Sequence, residues 1–68
     1  MTKDYSITMQ DPTGRVAVIN VNGASIDELV ATGATLDFAK ECVEDNAYEV
    51  AICWGEIGAD GFLIGTTA

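Results

Sequence analysis

Apolar and polar residues alternate from Tyr5 to Gln10, as Tyr-Ser-Ile-Thr-Met-Gln. This is the period-two pattern of a strand with one buried face. Asp11-Pro12-Thr13-Gly14 then reads as a β-turn: Asp suits the first position, Pro fixes φ at the second and Gly closes the fourth. Arg15 to Val21 is rich in Val and Ile and predicts the return strand of a hairpin.

Ser25-Ile26-Asp27-Glu28 has the form of a capping box, which predicts a short helix from Ile26 to Ala31 ended by Gly33. Thr35 is a second candidate cap. Beyond it, Leu36, Ala39 and Val43 share one face of a helix running to Asp45, with Phe38 and Cys42 on its flank. Asn46 is expected to end it. Tyr48 to Trp54 alternates again, with Tyr48, Val50, Ile52 and Trp54 pointing one way, and predicts a third strand. Gly55 to Gly61 reads as a loop, and Phe62 to Thr66 as a short last strand.

The expected fold is therefore α+β and one domain over residues 1–68. Four antiparallel strands (5–10, 15–21, 48–54 and 62–66) would form the sheet, in β-β-α-(α)-β-β order, with the helical segment on one face. Leu36, Ala39 and Val43 would contact that sheet.

Composition adds a limit on compartment and chemistry. A hydrophobic share of 49% places the chain among folding sequences. No apolar run follows a basic N-terminal region and none approaches the roughly 20 residues of a membrane span. The cytoplasm is the expected location, with no membrane partner. Cys42 and Cys53 are expected to be reduced thiols, with one bridge as the alternative.

Histidine is absent, which removes the commonest general base and the commonest zinc ligand. Neither Lys3 nor Lys40 sits in a motif that would activate a nucleophile. A calcium loop starting at Asp45 would need Gly where Val50 stands. The glycines of residues 55–61 lack the spacing of a phosphate-binding fingerprint, and Glu56 and Asp60 would repel phosphate. Those two acids form an ordinary solvated turn, or at most a loose cation site. No catalytic residue, metal or cofactor is expected.

Charge changes the picture most. The chain carries a net −8, and all of it lies in residues 27–60. Asp27, Glu28, Asp37, Glu41, Glu44, Asp45, Glu49, Glu56 and Asp60 stand there against Lys40 alone. Such a field repels nucleic acid and attracts basic surfaces. Asp37, Glu41, Glu44 and Asp45 fall at i, i+4, i+7 and i+8, on the helix side away from Leu36, Ala39 and Val43. Like charges at i,i+4 cost a few tenths of a kcal/mol each, so this row is a candidate partner-binding surface. Glu49 is its expected extension. The plainer reading is a solvated face that keeps the chain soluble. Trp54 is read as core or sheet edge, with an exposed interface anchor as the alternative.

With its size, its Asp27/Glu28 and Asp37–Glu41–Glu44–Asp45 clusters and its hairpin-helix-hairpin order, the chain resembles the small acidic anti-CRISPR proteins of phages and mobile elements, the type I-C group in particular. The resemblance implies inhibition by binding, without catalysis. The acidic surface would occupy the Lys/Arg-lined path by which target DNA enters a type I surveillance complex, on its large subunit. It would act as a DNA mimic that binds no nucleic acid itself, as a monomer or weak dimer. The alternative is a small phage accessory, assembly or regulatory module.

Overall fold

The computed structural model describes residues 2–67. Its elements are β1 (Tyr5–Gln10), β2 (Val16–Val21), α1 (Gly23–Ala31), α2 (Leu36–Cys53) and β3 (Phe62–Thr67). The sheet has three strands in the order β2-β1-β3, with both pairings antiparallel.

The hairpin forms where the alternation places it. Tyr5 faces Val21, Ile7 faces Ile19 and Met9 faces Ala17, so these six share one side of the sheet. On that side Ile7, Ala17, Ile19 and Val21 are buried against Ile26 of α1, Ala39 and Ala51 of α2, and Ile57 of the 55–61 loop. Each isoleucine buried as fully as Ile26 or Ile57 contributes about 1.5–3 kcal/mol. On the opposite side Val16, Val18 and Asn20 remain exposed.

The expected third strand at 48–54 is helix. Residues 48–53 are the last turns of α2, which runs unbroken from Leu36 to Cys53, so the sheet has three strands rather than four. Alternation over seven residues also satisfies an i,i+4 repeat, and here the helical period wins. Ala39, Val43, Ala47 and Ala51 form one i+4 row that packs into the core, and Lys40, Glu44, Tyr48 and Ile52 form a half-buried row beside it. No Gly or Pro lies between Leu36 and Trp54 to stop a helix already nucleated, and Asn46 does not end it. Trp54 and Val50, placed inward by the strand reading, are exposed, Trp54 by 81%. Leu36 does not reach the sheet either; it is 51% exposed in the first turn. With no strand at 48–54 to pair with, β3 lies against β1, with a bulge at Ile64 because Thr8 faces Gly65 while Met9 faces Leu63.

Helix ends follow local chemistry. Thr35 caps α2 as its position predicts, accepting from the Phe38 N–H at 3.2 Å. α1 begins earlier than Ser25 implies: Asn22 is its cap and accepts from the Ala24 N–H at 2.8 Å. Gly33 and Gly55 take left-handed φ values of 106° and 74°. Behind them the N–H groups of Ala34 and Glu56 reach back to the carbonyls of Leu29 and Ala51, closing both helices with a Schellman motif.

One buried carboxylate ties the hairpin turn to the loop after α2. Asp11 is 2% exposed. It accepts from Thr13 (N–H and hydroxyl), from the Arg15 N–H and Nε, and from the Gly58 N–H at 2.9 Å. Arg15 also donates to the Gly55 carbonyl at 3.1 Å. The Thr13 hydroxyl above all, then the Gly58 and Arg15 N–H groups and the Arg15 guanidinium, hold the Asp11 carboxyl well below the usual carboxylate range. No helix among the described residues is long and apolar enough to cross a membrane, and both cysteines are free thiols.

Candidate acidic surface

The extension of α2 to Cys53 reshapes the acidic cluster. Asp37, Glu41, Asp45 and Glu49 now form one i+4 row on a single helix, all four exposed. From Asp37 to Glu49 the row climbs about 18 Å at 1.5 Å per residue. The same i+4 arithmetic keeps the core row of Ala39, Val43, Ala47 and Ala51 parallel to it along the helix. Each row drifts about 40° per step, so acid and core wind around α2 together and stay opposite one another at each level.

Two charges of α2 leave the row for the sheet. The Tyr5 hydroxyl donates to Glu44 Oε2 at 3.0 Å, and the Lys40 ammonium lies 5.5 Å from the Tyr5 ring centroid, in cation–π range. Burial first, and the Glu44 carboxylate second, push the Tyr5 phenol up to about 12. Lys40, the single base on the helix, is thus drawn to the Tyr5 ring. Among the described residues the only ion pair is Arg15 with Asp11, so no basic side chain neutralises the row. Asp37, Lys40, Glu41, Glu44 and Asp45 together line a shallow depression of about 350 Å³.

The other four acids named from the sequence lie elsewhere. Asp27 and Glu28 are on α1, and Glu56 and Asp60 are exposed in the 55–61 loop. Asp27 is occupied by the chain itself. The Thr2 hydroxyl donates to it at 2.7 Å and the Thr2 N–H at 3.0 Å, and these bonds hold its carboxyl below the usual range. Glu28 is exposed on α1 and makes no capping bond to Ser25, because the cap is Asn22. Among the described residues no group of three or more acid or thiol side chains is gathered to hold a metal ion.

Two features escaped the sequence reading. Asp11 was visible only as a turn residue, because its partner Gly58 lies far along the chain. The exposed pair Val50 and Trp54, four residues apart at the end of α2, lies beside the acids, and Phe38 is exposed at the helix start. An i+4 count carried past Asp45 would have found the pair. A depression of about 530 Å³ at the end of the sheet has among its lining polar groups several that are already bonded within the chain. Asp4 accepts from the Gly23 N–H, Asn20 from the Ser6 hydroxyl, and Asn22 caps α1.

Comparison of the chain with protein-family models, curated proteins and solved structures returns no match.

Proposed function

We propose that this chain is an inhibitory binding protein whose α2 carboxylate row occupies a basic groove built to hold nucleic-acid phosphates. The observation that carries the reading is the unneutralised row Asp37–Glu41–Asp45–Glu49, with Lys40 drawn to the Tyr5 ring. Each step of the row rises about 6 Å. Two phosphate steps on a DNA strand advance about 6.8 Å along the axis. Carboxylates on this pitch meet arginines and lysines arranged for phosphates and exclude the nucleic acid. The target class we favour, from the resemblance to small acidic anti-CRISPR proteins, is a type I CRISPR surveillance complex at its DNA-entry surface, in the bacterial cytoplasm.

The test is a competition between the protein and duplex DNA for such a complex. Binding should fall steeply with salt. The variant D37K/E41K/D45K should lose inhibition while keeping its circular dichroism, since all three side chains are exposed. Charge reversal is sharper than truncation because it adds repulsion against a basic groove.

A second reading has its own observation. Trp54, 81% exposed four residues from the exposed Val50, is the kind of aromatic anchor that centres protein interfaces. If Trp54→Ala abolishes partner binding and the triple reversal leaves it intact, the chain is an accessory protein-interaction module whose acid serves solubility.

A further inference from the structure

The last strand is the one element whose sequence and surroundings disagree. Phe62-Leu63-Ile64 is a continuous apolar run, the pattern of a strand covered on both faces and paired on both edges. In the fold β3 is an edge strand, paired only with β1. Phe62 lies opposite Gln10 on the open side of the sheet, and Leu63 lies opposite Met9 on the helix side. Phe62, Leu63 and Ile64 are nevertheless exposed by 49%, 57% and 49%. α2 packs over β2 and leaves the helix side of β3 uncovered, as a groove floored by Ile7, Met9, Ile19 and Leu63 and walled by Glu44, Asp45 and Tyr48 of α2. The other edge strand differs: in β2 exposed and buried residues alternate strictly, as a half-covered strand should.

We propose that β3 pairs antiparallel with β3 of a second copy of this chain, joining two three-stranded sheets into one of six. Charge selects the occupant. Two molecules of net −8 repel least where charge is absent, and residues 61–68 contain no ionisable side chain. Edge strands that stay solitary are usually guarded by Lys, Glu or Pro. β3 has none, and its one irregularity, the bulge, presents an isoleucine. Identical strands pair antiparallel about a two-fold axis, so each residue meets its complement in an isologous contact. With the axis between Ile64 and Gly65, Phe62 and Leu63 face the two threonines of the second copy and Ile64 faces its glycine. Gly65 has open space where a side chain would stand. Large side chains therefore meet small ones along the whole strand.

One strand pair falls below the roughly 1,200 Å² of a standard interface, so association is weak and concentration-dependent. This inference does not rest on the acidic-row reading, and salt separates the two. Salt screens repulsion between two acidic copies and strengthens their pairing, whereas it weakens binding to a basic groove.

Sedimentation analysis of the full chain from micromolar to millimolar concentration tests it. The expected result is a rise from the 7.1 kDa monomer towards twice that mass, favoured by salt. Ile64→Lys and Leu63→Lys should each raise the dissociation constant at least about tenfold while the far-ultraviolet spectrum stays unchanged. Concentration-dependent protection of β3 amides from hydrogen exchange in the wild-type chain supplies a readout that needs no variant. A constant 7.1 kDa at every concentration overturns the proposal. So does a dimer that survives both lysines, or one abolished instead by Val18→Lys, which would place the contact on the open sheet face.

Discussion

Asp11 and Asp45 carry the same side chain in opposite settings. Asp11 accepts five hydrogen bonds between the hairpin turn and the 55–61 loop, and its negative charge is what those donors are arranged around. Asp45 stands exposed in a row of acids, with no ion pair among the described residues. A charge surrounded by donors stabilises the fold it sits in. A charge surrounded by like charges stabilises nothing inside the molecule and is free to act on something outside it. The division follows the surroundings of each acid: Asp11 and Asp27 are held by donors of the turn at 11–15, Gly58 and the segment before β1, whereas Asp37, Glu41, Asp45 and Glu49 project outward from α2.

The largest effect expected from this contrast is at Asp11. Asp11→Ala leaves the Gly58, Thr13 and Arg15 N–H groups without their acceptor and should lower the urea midpoint more than alanine at any acid of α2. The acid limb has the same origin. Asp11 and Asp27 are both held below the usual carboxylate range. Their stabilisation is therefore complete above about pH 4, the unfolded value, and is lost as pH falls through the folded values. In Asp11→Asn the midpoint should depend less steeply on pH in that acid range. A midpoint unmoved by either substitution would break the contrast from the structural side.

A smaller effect of opposite sign is expected in the row. Glu41→Lys turns two like-charged i,i+4 neighbours, Asp37 and Asp45, into oppositely charged ones. It should stabilise by up to about 1 kcal/mol. Melting temperature should rise at low salt, and the gain should shrink as salt is added. A lower melting temperature would mean that Glu41 has a structural partner. The smallest effect belongs to Trp54, whose side chain is solvent-exposed. Trp54→Ala should change stability by less than about 0.5 kcal/mol. A tryptophan facing inward from a strand at 48–54 would cost about 3–5 kcal/mol, so one denaturation curve decides between the two geometries.

What could be read from the sequence was what neighbouring residues decide among themselves. The hairpin is written in Asp11-Pro12-Thr13-Gly14 and the alternation on either side. The cap at Thr35 and the stop at Gly33 are equally local. Residues 48–54 are not, because seven residues fit period two and an i+4 repeat alike. The signal that separates them is negative, the lack of any helix breaker after Asp45. The acidic row shows the same boundary. Asp37, Glu41 and Asp45 were placed correctly on a helix, while Glu49 joins them only once that helix is allowed to continue. The bond from Gly58 to Asp11 joins two loops that no local pattern connects.

The strand order carries a consequence for how the chain folds in time. β1 is central in the sheet, yet its two neighbours come from opposite ends of the sequence. The turn at 11–14 brings β2 to it across a short loop, a microsecond event. β3 must close a loop of some fifty residues to set Phe62 opposite Gln10, and the entropy of that closure is compensated only when the helices have already shortened the path. The hairpin and both helices are synthesised before β3, so β1 keeps one edge unsatisfied until β3 reaches it. Substitutions in the hairpin should therefore change the folding rate, and substitutions in β3 should mainly change the rate of unfolding.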